Sequence, residues 1–219
     1  QRVVWATRSR STSHIHRLSE RPCTRRADVV GGVSDGIDAG LQQNLSPDER
    51  SKLIVGRNGS ELLRSSRPRV PRTPRRVVHV GSFYHARDPF PFLRAVAEVR
   101  RNSPFGASDL AVDLVGDCRQ FKGRSVESEI RQLGLEDVVR LEDWVPYAEA
   151  QRRVADPDLL LLLAQDKPAQ IPNKLSDYHG SRVPILEHAE RHGETARRPE
   201  QARGHNRVDG AAGTSGDAA

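Results

Sequence analysis

Lys174 and Asp177 stand three residues apart in the stretch Ile-Pro-Asn-Lys-Leu-Ser-Asp-Tyr-His-Gly-Ser-Arg-Val-Pro-Ile-Leu-Glu, residues 171–187. On a helix they share one face. A cation beside a carboxylate at a sheet edge can hold a phosphate and a hydroxyl; the same pair can equally be a solvated, salt-bridged surface. A second candidate is Gly81 with Arg87. Glycine lets backbone approach a phosphate, a helix N-terminus favours an anion, and arginine can contact phosphate through two N–H groups. A lone glycine is common in βα loops, so this signal is weak by itself. Gly116-Asp117 closes another apolar run and is expected to abut the same crevice. His85 and His179 are acid–base candidates, with surface or turn histidines as the alternative. Trp144 and Tyr147 flank Val145-Pro146 and could stack on a base, with core packing the alternative for at least one.

Other chemistries find little support. There is no GxGxxG and no GxxxxGK[ST], which argues against a nicotinamide dehydrogenase and a P-loop nucleotidase. No Ser-His-Asp or Cys-His set stands at informative spacing. The two cysteines, Cys23 and Cys118, form no Cys-x-x-Cys. Neither a metal site nor a disulfide framework follows, and a reducing cytosol fits best.

The elements that must position these residues are legible from residue 76 onward. Val77–Gly81, Leu110–Gly116, Val138–Leu141, Leu159–Leu163 and Val183–Leu186 read as short buried strands. The five consecutive leucines, 159–163, are the most apolar run of the chain. Between the strands lie helices. One is capped by Asp88-Pro89, with Phe92, Leu93, Val96 and Val99 on one face. The next is Val126–Gly134, with Ile130 and Leu133 inward, and the third is Pro146–Ala155. The last starts at Pro172, a residue suited to a first helical turn, and ends at Gly180. Strict alternation over about 110 residues implies α/β architecture, with parallel strands in a doubly wound sheet. In such sheets ligands sit beyond the carboxyl ends of the strands. A smaller βαβ pattern precedes it: a strand in Asp28–Ser34, a helix in Asp35–Leu45, a Ser46-Pro47-Asp48-Glu49 capping box and a strand in Lys52–Gly56.

The remaining segments carry no core. Residues 1–26 hold seven arginines without a sustained period and are expected to be a disordered basic arm. A nucleic-acid arm has the same composition, but charge runs are more often simply solvated, and no nucleic acid is expected. Residues 64–76, with prolines at 68, 71 and 74, read as an extended linker. Residues 190–219 hold one large aliphatic, Val208, and are expected to be a disordered tail. Of 219 residues only 36% are hydrophobic and 5% aromatic, and the net charge is +6. No apolar stretch approaches the ~20 residues that span a bilayer, and no signal-peptide core is visible. A cytoplasmic place, at most peripheral to the inner membrane, is expected. The chain has no methionine and begins with glutamine, so a piece of a longer gene product is expected.

Four segments, in order, resemble the retaining GT-B glycosyltransferases of the large family 4 type. They are Val-Val-His-Val-Gly-Ser-Phe-Tyr-His-Ala-Arg-Asp-Pro (77–89), Val-Asp-Leu-Val-Gly-Asp (112–117), Leu-Gly-Leu-Glu-Asp-Val-Val-Arg-Leu-Glu-Asp-Trp-Val-Pro-Tyr-Ala-Glu-Ala (133–150) and 171–187. Residues 27–59, with Val-Ser at 33–34 and Arg-Asn-Gly at 57–59, resemble the end of the family's acceptor domain. The resemblance implies a remnant of an N-terminal α/β domain at 27–63 and a Rossmann-like nucleotide-sugar-binding domain at 77–189. It implies that Gly81 and Arg87 meet the donor diphosphate, that Lys174 assists, that Asp177 holds the ribose, and that Val145 and Pro146 lie near the base. No catalytic residue is assigned. The implied reaction is sugar transfer from a nucleotide sugar, with retention, to a lipid-linked or small-molecule acceptor. The nucleotide sugar is then a substrate, with no cofactor and no obligatory metal. The sequence departs from the family where Ala169 takes the place of an acidic residue, and where Asp177 replaces a longer Glu. A donor-domain fragment is therefore expected. A nucleotide-binding module without transfer activity is the alternative.

Overall fold

The computed structural model describes residues 22–43, 45–60, 72–84, 87–102, 109–165, 171–189 and 205–209. Residues 1–21 of the expected basic arm and most of the expected linker and tail lie outside these residues; residues 22–26, expected to be disordered, are helical, with Ala27 N–H donating to Cys23 O at 3.1 Å. The chain divides into two compact units, Gln1–Asn58 and Gly59–Ala219.

The first unit contains the small βαβ pattern. β1 (Val30–Gly32) and β2 (Leu53–Val55) pair in parallel, with α1 (Asp35–Gln42) and the single turn α2 (Pro47–Arg50) between them. Ser34 caps α1 by accepting from the Ile37 N–H at 3.2 Å. The Ser46 capping box closes both ways: the Glu49 carboxylate accepts from Ser46 N–H at 2.9 Å, and Ser46 Oγ accepts from Glu49 N–H at 3.4 Å.

The second unit carries six parallel strands. They are β3 (Arg75–Val80), β4 (Leu110–Val115), β7 (Val139–Glu142), β8 (Leu159–Ala164), β9 (Ile185–Ala189) and β10 (His205–Asp209). Their spatial order is β10-β9-β8-β3-β4-β7. Counting only these six, the order is 3-2-1-4-5-6 in reverse, that of the doubly wound dinucleotide-binding fold. β8 shows why the five leucines are there. Leu161 and Leu163 join the core on one face, with Phe90, Leu93, Val96, Val126 and Ile130. Leu160 and Leu162 join the core on the other, with Val154, Leu175 and Tyr178. Successive strand side chains point to opposite faces, so burial on both faces requires an unbroken apolar run.

Helices α3 (Phe90–Asn102) and α4 (Val126–Gln132) supply the first of these layers, and α5 (Tyr147–Ala155) and α6 (Asn173–Ser181) the second. A small hairpin, β5 (Gln120–Phe121) with β6 (Arg124–Ser125), turns through Lys122 and Gly123, both at positive φ.

Four more expectations are corrected. Val99 is 49% exposed, because at 100° per residue it lies off the stripe centred on Leu93, and Ala97 is buried instead. The last helix runs through Gly180, and Arg182 takes the left-handed turn at φ 58°. Ser181 closes that end by donating to Tyr178 O and accepting from Val183 N–H. β3 starts at Arg75, inside the expected linker, with Arg76 N–H donating to Asp158 at 2.8 Å. Within the tail expected to be disordered, residues 205–209 form β10 along the edge of β9. An edge strand needs only one backbone partner, which its polar sequence can provide.

Candidate functional site at the strand carboxyl ends

Neighbouring strands β3 and β8 are the first and fourth of the sheet in sequence, so chain connections diverge to opposite sides between them. This switch point is where a doubly wound sheet opens a crevice at its carboxyl edge. β3 ends there at Val80-Gly81. Gly81 has φ +138°, a value side-chain-bearing residues rarely adopt, and its N–H donates to Val115 O at 2.8 Å. The neighbouring turn after β4 presses against it: a Cβ at Gly116 (φ +121°) would lie 2.6 Å from Gly81 O. The two glycine turns thus touch, as the sequence suggested for Gly116-Asp117, and Phe83 N–H donates to Asp117 O at 3.0 Å.

Lys174 reaches this edge from the first turn of α6. Its Nζ donates to Val80 O at 2.8 Å. A Cβ at residue 81 would overlap Nζ and lie 3.3 Å from Cε, so the lysine occupies the space a side chain would take. Burial, and then the Arg87 charge, lower the Lys174 ammonium to about 7. Arg87 lies in the loop between β3 and α3, its guanidinium 4.1 Å above the Tyr84 ring centroid. Asp88 follows and accepts from Phe90 N–H at 2.9 Å, the start signal expected for α3.

Three buried groups line the floor. Cys118 Sγ donates to Gly81 O at 3.1 Å, and burial pushes its thiol up to about 12, so it is an inert donor. Tyr178 OH accepts from Val80 N–H at 3.3 Å, and burial raises its phenol above the ordinary value. His79, fully buried in β3, has Nδ1 3.0 Å from Leu161 O. Burial, then the Lys174 charge, hold its pKa well below 6.5, so the ring is neutral.

Beside them, Gln165 follows β8 and ties two elements together. Its Nε2 donates to Asp88 O at 2.8 Å and to His188 Nδ1 at 2.9 Å.

Of the residues singled out in the sequence, the structure brings Gly81, Arg87 and Lys174 together. Asp177 sits on the same helix as Lys174, but the bridge that the spacing allows does not form. Asp177 instead accepts from Ser60 Oγ at 3.1 Å. Val145 and Pro146 lie in the loop after β7, on the same sheet edge but two strands from β3. Trp144 and Tyr147 are 73% and 59% exposed, so neither is a core residue. His179 is half-buried in the last turn of α6. His85 and Ala169 lie outside the described residues. The sequence reading missed His79, Cys118, Gln165 and Tyr178 as parts of the site, since each passes for a core or strand residue. Among the described residues no cluster suits a metal ion, and no helix is long and apolar enough to cross a membrane.

Comparison with solved structures places this architecture. A glycosyltransferase from Rickettsia africae superposes with a TM-score of 0.65 at 12% identity, covering 95% of this chain and 55% of that one. Anabaena HepE, solved with UDP and glucose, superposes with a TM-score of 0.63 at 16% identity, covering 90% of this chain and 55% of that one. The catalytic domain of starch synthase IV from Arabidopsis thaliana, bound to ADP and acarbose, gives 0.55 at 14% identity, covering 89% and 47%. The fold is that of the GT-B glycosyltransferases. The chain spans about half the length of the GT-B structures it matches. No protein-family model matches the chain, and no curated protein sequence matches it significantly.

Proposed function

We propose that this chain is the donor-binding part of a GT-B glycosyltransferase, which takes a nucleotide sugar and passes its sugar, with retention, to an acceptor. The observation that carries the reading is the meeting of Gly81, Lys174 and Arg87 at the β3/β8 switch point. A side-chain-free turn, a half-buried lysine amine and a guanidinium are a chemical match for a diphosphate. The backbone can approach closely at Gly81, and two cations offset the ligand's charge in a poorly hydrated place. On this reading the diphosphate draws a proton onto Lys174, because an anion stabilises the ammonium. On the same reading Asp177, one turn along α6, exchanges Ser60 for a ribose hydroxyl. On this reading the base extends toward Val145, Pro146 and the exposed Trp144, in the loop after β7 at the same sheet edge. The nucleotide sugar is substrate rather than cofactor, the acceptor is a lipid-linked or small molecule, and the reaction belongs to the cytoplasm.

The test is a thermal-shift screen with UDP-, GDP- and ADP-sugars and their free nucleotides at moderate salt. One nucleotide at one hundred times its dissociation constant should stabilise the fold by about 2.7 kcal/mol. Lys174→Met and Asp177→Ala should remove that shift. A clean melting transition that no nucleotide moves would sink the reading. A nucleotide shift with no preference for the sugar, and no transfer by the full-length enzyme, would assign a nucleotide-binding module instead.

A further inference from the structure

His79 is fully buried, yet its Nε2 has no hydrogen-bond partner among the described residues. Buried polar atoms without partners are uncommon and ask for a reason. The tautomer follows from the other nitrogen. Leu161 O, 3.0 Å from Nδ1, can only accept, so Nδ1 carries the proton and Nε2 keeps a lone pair. Nε2 stands beside Gly81. Nε2 lies 3.9 Å from where a Cβ of residue 81 would stand, and the Lys174 ammonium borders the same point. With glycine at 81, no side chain of that residue stands between them. The opposite tautomer would turn an N–H toward the ammonium and repel it; the Leu161 carbonyl prevents that.

We propose that His79 is a positioning residue for Lys174: its Nε2 lone pair holds the lysine ammonium in the Gly81 cleft, at the place where an anionic ligand arrives. Other charged and titratable groups face Lys174 from each neighbouring element. Arg87, before α3, opposes the ammonium, and Cys118, after β4, is a neutral thiol. Asp177 and Tyr178 lie on its own helix. His79 is the group on β3, and the fixed tautomer makes its side of the cleft attractive to a cation. The role as a ligand-positioning device rests on the donor-site reading; the His79–Lys174 coupling itself does not.

The experiment follows the Lys174 side-chain NMR signal in the ligand-free full chain as pH is varied. In wild type it should titrate near neutrality. His79→Leu, which offers no lone pair, should move the midpoint to lower pH, and His79→Gln, whose amide oxygen can accept, should restore it. An unchanged midpoint in His79→Leu overturns the proposal, whereas a residue that only fills the core would alter the melting temperature alone. Should His79→Leu fail to fold, the wild-type imidazole nitrogens decide. An unprotonated Nε2 whose shift moves through the Lys174 titration supports the coupling; a protonated or unmoved Nε2 refutes it. UDP binding by the same proteins separates the two readings. In His79→Leu, affinity for UDP above neutral pH should weaken by about 3- to 10-fold, for a midpoint displaced by roughly half to one unit. No binding of UDP, GDP or ADP by wild type, with the NMR coupling intact, fails the donor-site reading and leaves the coupling standing.

Discussion

Replacing Gly81 by alanine separates two effects that share one residue. The backbone at φ +138° is sparsely populated for any residue with a Cβ, at about 1–3 kcal/mol. The new methyl would also overlap the Lys174 Nζ and crowd Cε at 3.3 Å. The end of the lysine is flexible, so it moves rather than the sheet, and its hydrogen bond to Val80 O is lost. Bonds to charged donors contribute roughly 1.5–3 kcal/mol. Gly134→Ala provides the control. Gly134 also has positive φ, +64°, but a Cβ there would meet nothing within 4 Å, so only a backbone cost applies. Gly81→Ala should therefore be the more destabilising by about 1.5–3 kcal/mol. At roughly 2–4 °C per kcal/mol for a protein of this size, its melting temperature should fall about 3–12 °C further than that of Gly134→Ala. Thermal melts of both variants decide it. Equal losses would show that Lys174 is not packed into the Gly81 cleft, and the geometry assigned to the site would be wrong.

Lys174 gives a pH dependence of defined sign. Its folded pKa, about 7, lies below the ordinary 10.5, so the unfolded chain binds the extra proton between those values and stability rises with pH. From pH 7 to 8, below the ordinary value of 9.0 at which the unfolded-state Cys118 thiol ionises, the unfolding free energy should climb by up to about 1.4 kcal/mol per unit, and Lys174→Met should flatten that slope. On the acid side, burial keeps His79 neutral in the fold, so stability should fall as pH drops below 6.5; denaturant melts of His79→Leu should lack this component. Leu161→Ala, cutting a fully buried side chain from the central strand pair, should cost about 2–5 kcal/mol by denaturant titration. Thiol labelling of the native protein should modify exposed Cys23 promptly and buried Cys118 only on unfolding; rapid labelling of both would contradict the packing at Gly81.

Much of the architecture was determined by the sequence alone, through period and punctuation. Five leucines in a row demand burial on two faces, and Leu160 to Leu163 indeed divide between two cores. Apolar runs alternating with helical patterns demand parallel strands, and Ser46 with Glu49 marks a helix start through local hydrogen bonds. Gly81, Arg87 and Lys174 stood out through the resemblance at 77–89 and 171–187, since a glycine after an apolar run and a charged helix face are weak signals by themselves. Tertiary structure decided what depends on partners distant in the chain. Lys174 meets Val80 across 94 residues, and Asp177 meets Ser60 across 117, which no local pattern encodes. β10 could not be read from a polar pentapeptide, since its order comes from the backbone of β9. His79 in a strand of valines looks like a core residue; only the carbonyl of Leu161 on the neighbouring strand sets its tautomer and leaves the lone pair on Nε2, beside Gly81. Chain pattern sets which faces must be buried, whereas the charge state and direction of a buried group are set by the neighbours that folding brings to it.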